Sequence, residues 1–349
     1  METAFLDTAY LKSMVSHCGA VLHPTAVYLD RSEPWFSLGL FLIGSAFMIW
    51  RLGVMEKKGL EGTVLGTLIM PYASGFSNLM FAYVLGKSGG PGSLVLENCL
   101  VNNVTNLTLI IGVSTLFWPL GLAPSPGKKA RKRAARESRI NYLSLLFTLT
   151  ALFFFTGTVW ALAGDGNIDF SDGLVLAGLF LFWQLFHVFD VLKHNVLEHR
   201  TIPKSIAFDI FLVIVSGLIV YHSIDRLVAW IPRSTGGFFS FENLGWLSGL
   251  LMVFPNGMVA LYYAWRRRAD IVLSSQVGDG HICIPMCVGI FALFRQIQIP
   301  GSFDPSIVII FSAGSFLFFF IGFFRRLPRI TGILLIFAYA FFLSQGIIR

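Results

Sequence analysis

Charge is what this sequence has little of. Only 13% of its 349 residues are Asp, Glu, Lys or Arg, while 55% are hydrophobic, and mean hydropathy is +0.72. A water-exposed domain needs a mixed, charged surface, so a sizeable soluble domain is excluded. Cysteine is scarce as well. Cys18, Cys99, Cys283 and Cys287 offer no disulfide framework, and three of them fall in apolar runs where small-residue packing is the default. The first 33 residues lack the basic start and clean apolar core of a signal peptide. Catalytic signatures are missing too: no His-Glu-x-x-His, no nucleophile motif, no paired midspan carboxylates and no nucleotide-binding loop. An enzyme, an ATP-driven pump and a resident cofactor are therefore not expected.

What the sequence has in abundance is apolar runs of about 20 residues, each long enough to cross a hydrocarbon core of ~30 Å. They predict an all-α polytopic membrane protein with about ten spans: 35–52, 60–86, 94–119, 141–163, 170–192, 205–229, 244–265, 271–294, 305–324 and 329–347. Residues 1–33 are read as an external N-terminal arm. The net charge of +7 is not a nucleic-acid signal, because the basic residues sit in short loops. Most of the 26 Lys and Arg fall in alternate loops, around Lys57, from Lys128 to Arg139, from Lys193 to Lys204, at Arg266–Arg268 and at Arg325–Arg329. Basic loops stay on the cytoplasmic side, which puts both termini outside a cell (inner) membrane. The expected partners are the lipid bilayer and small cations; the sequence does not fix the oligomeric state.

Against this apolar background one stripe is polar: Glu97-Asn98-Cys99-Leu100-Val101-Asn102-Asn103-Val104-Thr105-Asn106. Asn98, Asn102 and Asn106 are four apart and so share one helix face. Uncompensated amides in lipid are costly, so this face is expected to meet protein, water or an ion.

The chain divides near residue 200 into five spans on each side. An odd number of spans per half makes the second half start on the opposite side of the membrane, which predicts two inverted-topology repeats, 34–200 and 201–349. The second span carries Gly66-Thr67-Leu68-Ile69-Met70-Pro71-Tyr72-Ala73-Ser74-Gly75, and the seventh carries Gly249-Leu250-Leu251-Met252-Val253-Phe254-Pro255-Asn256-Gly257. Each proline removes a backbone donor and frees carbonyls in midspan. The third and eighth spans match over Glu97 to Gly112 and Ser274 to Gly289. Asn98, Asn102 and Asn106 then correspond to Ser275, Asp279 and Cys283. Two kinked and two polar helices converge on the midplane, where a cation-sized site is expected.

These residues resemble the cation/calcium exchanger superfamily, which includes the sodium/calcium exchangers. That family has two inverted repeats, each with a Gly-Thr-Ser-Leu-Pro-Glu stretch followed by Gly-Asn-x-x-Gly-Ser-Asn-x-x-Asn/Asp. Pro71 and Pro255 look like its prolines, and Asn98, Asn103 and Asn106 match its first-repeat asparagines. In the second repeat Gly278 fits, and Asp279 stands where the family has serine.

The departures bear on the ion. Where the resemblance implies two central glutamates, this chain has Tyr72 and Asn256, and Cys283 replaces an Asn or Asp ligand. Calcium takes six to eight oxygens, usually with carboxylates. At ~4 Å and an effective dielectric of ~20, each lost carboxylate removes roughly 8 kcal/mol of gross attraction for a divalent ion.

The expectation is therefore an exchanger-like antiporter, a secondary active cation transporter working by alternating access with altered ion selectivity and carrying Na+, Ca2+ or H+. Asp279 is its charged centre, with Asn98, Asn102, Asn106, Asn256, Tyr72 and Ser275 as neutral ligands. His281 joins Asp279 as a titrating group, and Glu97, about 100° round the helix from Asn98, faces the external mouth. The alternative is a non-transporting relative that senses a ligand or scaffolds a partner.

Overall fold

The computed structural model describes residues 34–57, 70–122, 131–197, 205–230 and 243–347. The arm expected over residues 1–33 lies outside them. Ten helices make up the described chain: α1 Pro34–Lys57, α2 Met70–Ser88, α3 Gly92–Phe117, α4 Arg131–Leu162, α5 Phe170–Leu197, α6 Ile206–Trp230, α7 Leu244–Trp265, α8 Ala269–Phe294, α9 Phe303–Phe324 and α10 Arg329–Ile347. Seven of them (α1, α3, α4, α6, α7, α8 and α9) are long and apolar enough to cross a membrane; α5 and α10 carry shorter apolar stretches.

The outer helices expose large hydrophobic side chains such as Trp35, Phe182, Phe323 and Phe337. In water such a surface would aggregate, whereas in lipid it is the expected boundary. The chain is a multi-pass helical membrane protein. Its centre is α3 and α8, buried over 72% and 78% of their most apolar stretch, against 33% for α6 and for α9. These two helices carry the polar stripes, so the polar groups are shielded from lipid by the apolar helices around them.

The two halves are related by inversion, and short strands make it visible. β1, Leu120–Gly121 after α3, pairs antiparallel with β4, Arg326–Leu327 after α9. β2, Asn167–Ile168 after α4, pairs antiparallel with β3, Ile297–Gln298 after α8. Thus α3 and α9 end on one side, and α4 and α8 end on the other. Five helices on from α3 and α4 come α8 and α9, and each of these ends on the side opposite its counterpart. Close backbone approaches repeat with the same symmetry. A Cβ at Gly332 (α10) would lie 2.6 Å from the Gly112 carbonyl of α3, and one at Gly173 (α5) 3.0 Å from the Gly289 carbonyl of α8. Only small residues let helices meet this closely.

Both central helices break their α-periodicity at matched points. A π-helical turn runs over Asn106–Ile110 in α3 and another over Cys283–Cys287 in α8. In α8 the turn contains Pro285, which has no N–H to give to a regular helix. In α3 no proline is present, so the turn has no such local cause.

Candidate cation site

The site is built where α3 and α8 cross. At Gly280 a Cβ would stand 2.5 Å from Asn103 Oδ1 and 2.8 Å from Leu152 Cδ1, so glycine is what permits the approach. Asn103 and Gly280 occupy matching positions in the aligned segments Glu97 to Gly112 and Ser274 to Gly289. Just beyond this contact, Asn106 Nδ2 donates to Asp279 Oδ2 (2.8 Å) and to Asn102 Oδ1 (2.9 Å). Asn102 Nδ2 donates to Asn78 Oδ1 of α2 at 3.4 Å. Cys283 Sγ lies 3.8 Å from both Asn102 Oδ1 and Asp279 Oδ2. Asn78, Asn102, Asn106, Asp279 and Cys283 are all fully buried.

Five side chains from α2, α3 and α8 thus form one polar knot containing a single carboxylate. Its hydrogen bonding is incomplete: Asn106 Oδ1 and Asn78 Nδ2 are buried without partners, as is Asn103 Oδ1 beside it. Unmet carbonyl oxygens around a carboxylate are the donor set that hard cations take. Among the described residues no group of three or more His, Cys, Asp or Glu could hold a metal. Any cation here relies on amide oxygens as well as Asp279.

The other expected site residues are spread more widely. Asn98 is one turn below the knot, where Nδ2 donates to Ser248 Oγ of α7 (2.9 Å) and approaches Met252 Sδ (3.5 Å). Helix α7 runs alongside α3, with Gly249 against the Asn98 carbonyl and Gly257 against Ile110. This register sets Asn256 beside the π turn of α3, Asn106–Ile110. Asn256 is buried and its Nδ2 is unpartnered. Ser275 lies one turn before Asp279, donates to the Val272 carbonyl (3.1 Å) and accepts from Gln276 Nε2 (3.2 Å). Tyr72 is on α2, but its side chain is outside the described residues.

Two expected members stand apart from the knot. His281 follows Asp279 by two residues, about 200° round the helix, and so points away. Its Nε2 donates to the Thr148 carbonyl of α4 (2.8 Å), and its ring packs between Phe155 and Trp183. Glu97 accepts from Ser302 Oγ at the start of α9 (3.1 Å) and packs against the Gly245 position of α7. Asn78, by contrast, belongs to the knot without having been singled out in the sequence. A lone amide in the apolar run Phe76 to Tyr83 was the available signal.

Comparison with known proteins agrees with this architecture. Residues 35–189 match the family model "Sodium/calcium exchanger protein". The sodium/calcium exchanger MaX1 of Methanosarcina acetivorans is 31% identical over 88 residues, 25% of each chain. The aligned segment therefore spans about a quarter of that relative's length. The sodium-calcium exchanger NCX_Mj soaked with zero Na+ and Ca2+ superposes with a TM-score of 0.60 at 18% identity, covering 88% of this chain and 96% of that one. NCX_Mj soaked with 2.5 mM Na+ and 0.1 mM Sr2+ gives 0.59 at 17%, covering 89% and 96%. The class is thus a polytopic helical membrane protein with the exchanger fold. Residues 35–189 are similar to the sodium/calcium exchanger family, and the fold is that of NCX_Mj.

Proposed function

We propose that the protein is a secondary active cation transporter, an exchanger-like antiporter working by alternating access with altered ion selectivity. The observation that carries this reading is the Asn106 amide bridging Asn102 Oδ1 and Asp279 Oδ2 at a fully buried crossing of two inverted helices. A buried carboxylate in a membrane is expensive and needs a compensating charge. One carboxylate in the knot offsets one positive charge, which favours Na+ or H+ over Ca2+ as the ion held there. Asn78, Asn98, Asn102, Asn106, Asn256 and Ser275 supply neutral ligands along the path, and Tyr72 stands with Asn256 at the two positions after the prolines. The two halves, 34–200 and 201–349, are the units that rock against each other, in a cell membrane with both termini outside.

Counterflow in proteoliposomes tests this. Imposed Na+, K+ or H+ gradients should drive tracer cation uptake, and Asp279→Asn should abolish it. Unaltered kinetics in that variant would remove Asp279 from its central role. Absence of any coupled flux in the wild-type protein would favour the sensor or scaffold reading instead.

A further inference from the structure

The exchange reading leaves the thiol of Cys283 without a task. Cys283 opens the π turn of α8 and is fully buried. Its Sγ approaches Asn102 Oδ1 and Asp279 Oδ2, each at 3.8 Å. These are the same two oxygens to which Asn106 Nδ2 donates. A thiol and a carboxamide therefore close on one oxygen pair from different helices.

An NH2 group that donates to two acceptors occupies the place a cation would take between them. The amide's own oxygen, Asn106 Oδ1, is buried and has no partner. A carboxamide turns over about its last torsion with almost no change of shape. That turn exchanges NH2 for Oδ1 beside the oxygen pair. Without a cation three oxygens would repel, so the NH2 orientation is the resting one. With a cation between them the donors are Asn102 Oδ1, Asp279 Oδ2, Asn106 Oδ1 and Cys283 Sγ.

Four donors including one sulfur suit a four-coordinate, borderline or soft divalent cation, whereas calcium takes six to eight oxygens and avoids sulfur. The charge also balances. The Asp279 carboxylate supplies one negative charge, and the thiolate left when Cys283 releases its proton to solvent on coordination supplies the second. We infer that this knot binds a thiophilic divalent cation of the zinc and cadmium class, with Cys283 as sulfur ligand and Asn106 turning its carboxamide over to admit it. The inference rests on the reading of the knot as a cation site.

The test uses the purified full-length protein carrying Cys18→Ser, titrated with Cd2+. One equivalent should produce a saturable sulfur-to-cadmium charge-transfer band in the ultraviolet. Cys283→Ser should remove the band and weaken binding by at least the roughly 10- to 100-fold that loss of a mere supporting group costs a metal site. Asn106→Leu should weaken binding with the band retained at saturation, and Cys99→Ser and Cys287→Ser should leave both unchanged. A band that survives Cys283→Ser, or a wild-type protein with none, overturns the inference. Should Cys283→Ser fail to fold, X-ray absorption on the protein with unmodified Cys283 decides: one sulfur beside oxygens supports the site, and no sulfur or several overturns it. Counterflow is read on the same preparation. A Cys283-dependent band without counterflow overturns the transport reading alone, and Asp279-dependent counterflow without a band overturns this inference alone.

Discussion

Asn78 accepts a hydrogen bond from an amide that sequence reading placed in the site, and it does so from a third helix. Replacing it with leucine keeps the volume but leaves Asn102 Nδ2 without its acceptor. Stranding a buried donor costs about 1–3 kcal/mol. Asn78→Leu should therefore lower the melting temperature in detergent and weaken the cation dependence of counterflow, whereas a merely peripheral amide would affect neither. Gly280 makes a different demand. Its missing side chain is what lets Asn103 and Leu152 approach. Gly280→Ala drives a methyl into both, and overpacking of this kind costs about 1–3 kcal/mol. A thermal unfolding scan should show a clear loss of stability; an unchanged melting point would mean that α3 and α8 have room to part. Glu97 provides the contrast with Asp279. It is held by Ser302 away from the knot, so Glu97→Gln, which preserves the acceptor oxygen, should leave the apparent affinity for the driving cation intact.

At the scale of elements, the paired π turns deserve a direct perturbation. A π turn is one residue added to an α-helix, and it leaves the flanking segments in place. Deleting Leu109 from α3 should restore regular helix while Gly112 still meets Gly332. The expected outcome is a monodisperse protein on size exclusion that has lost counterflow, because Asn106 now projects at a different angle. Retained counterflow would separate the π turn from the site. These turns also mark where sequence reading stops. Seven of the ten expected spans were legible because a ~20-residue apolar run has few alternatives in lipid. The Asn98–Asn102–Asn106 stripe and its match to Ser275–Asp279–Cys283 were legible from spacing alone. The bridge from Asn106 to Asp279 does not follow from that match; it needs α3 and α8 to cross. Likewise, the α3 π turn has no proline to announce it. Asn78 joins only because α2 packs into the crossing, and the turning away of His281 depends on aromatic neighbours from α4 and α5 that no local pattern specifies.

At the scale of the whole molecule, inversion and charge make a joint prediction about sidedness. The pairing of β1 with β4 puts the ends of α3 and α9 together on one side. Arg325 and Arg326 follow α9 on that side, and the basic segment from Lys128 to Arg139 follows α3. The pairing of β2 with β3 puts the ends of α4 and α8 on the other side, where basic residues are fewer. Two independent features, strand pairing and the distribution of Lys and Arg, therefore divide the loops in the same way. Basic loops are retained in the cytoplasm, so the β1–β4 side should be cytoplasmic. A single cysteine at Arg326, exposed in β4, in a background with Cys18 replaced, should be labelled by a membrane-impermeant maleimide only in inverted vesicles. One at Asp165, in the exposed turn before β2, should be labelled only in intact cells. Exchange of the two patterns would reverse the orientation without altering the fold. Labelling of both from one side would break the inversion itself, and with it the reading of α3 and α8 as counterparts meeting at Asn103 and Gly280.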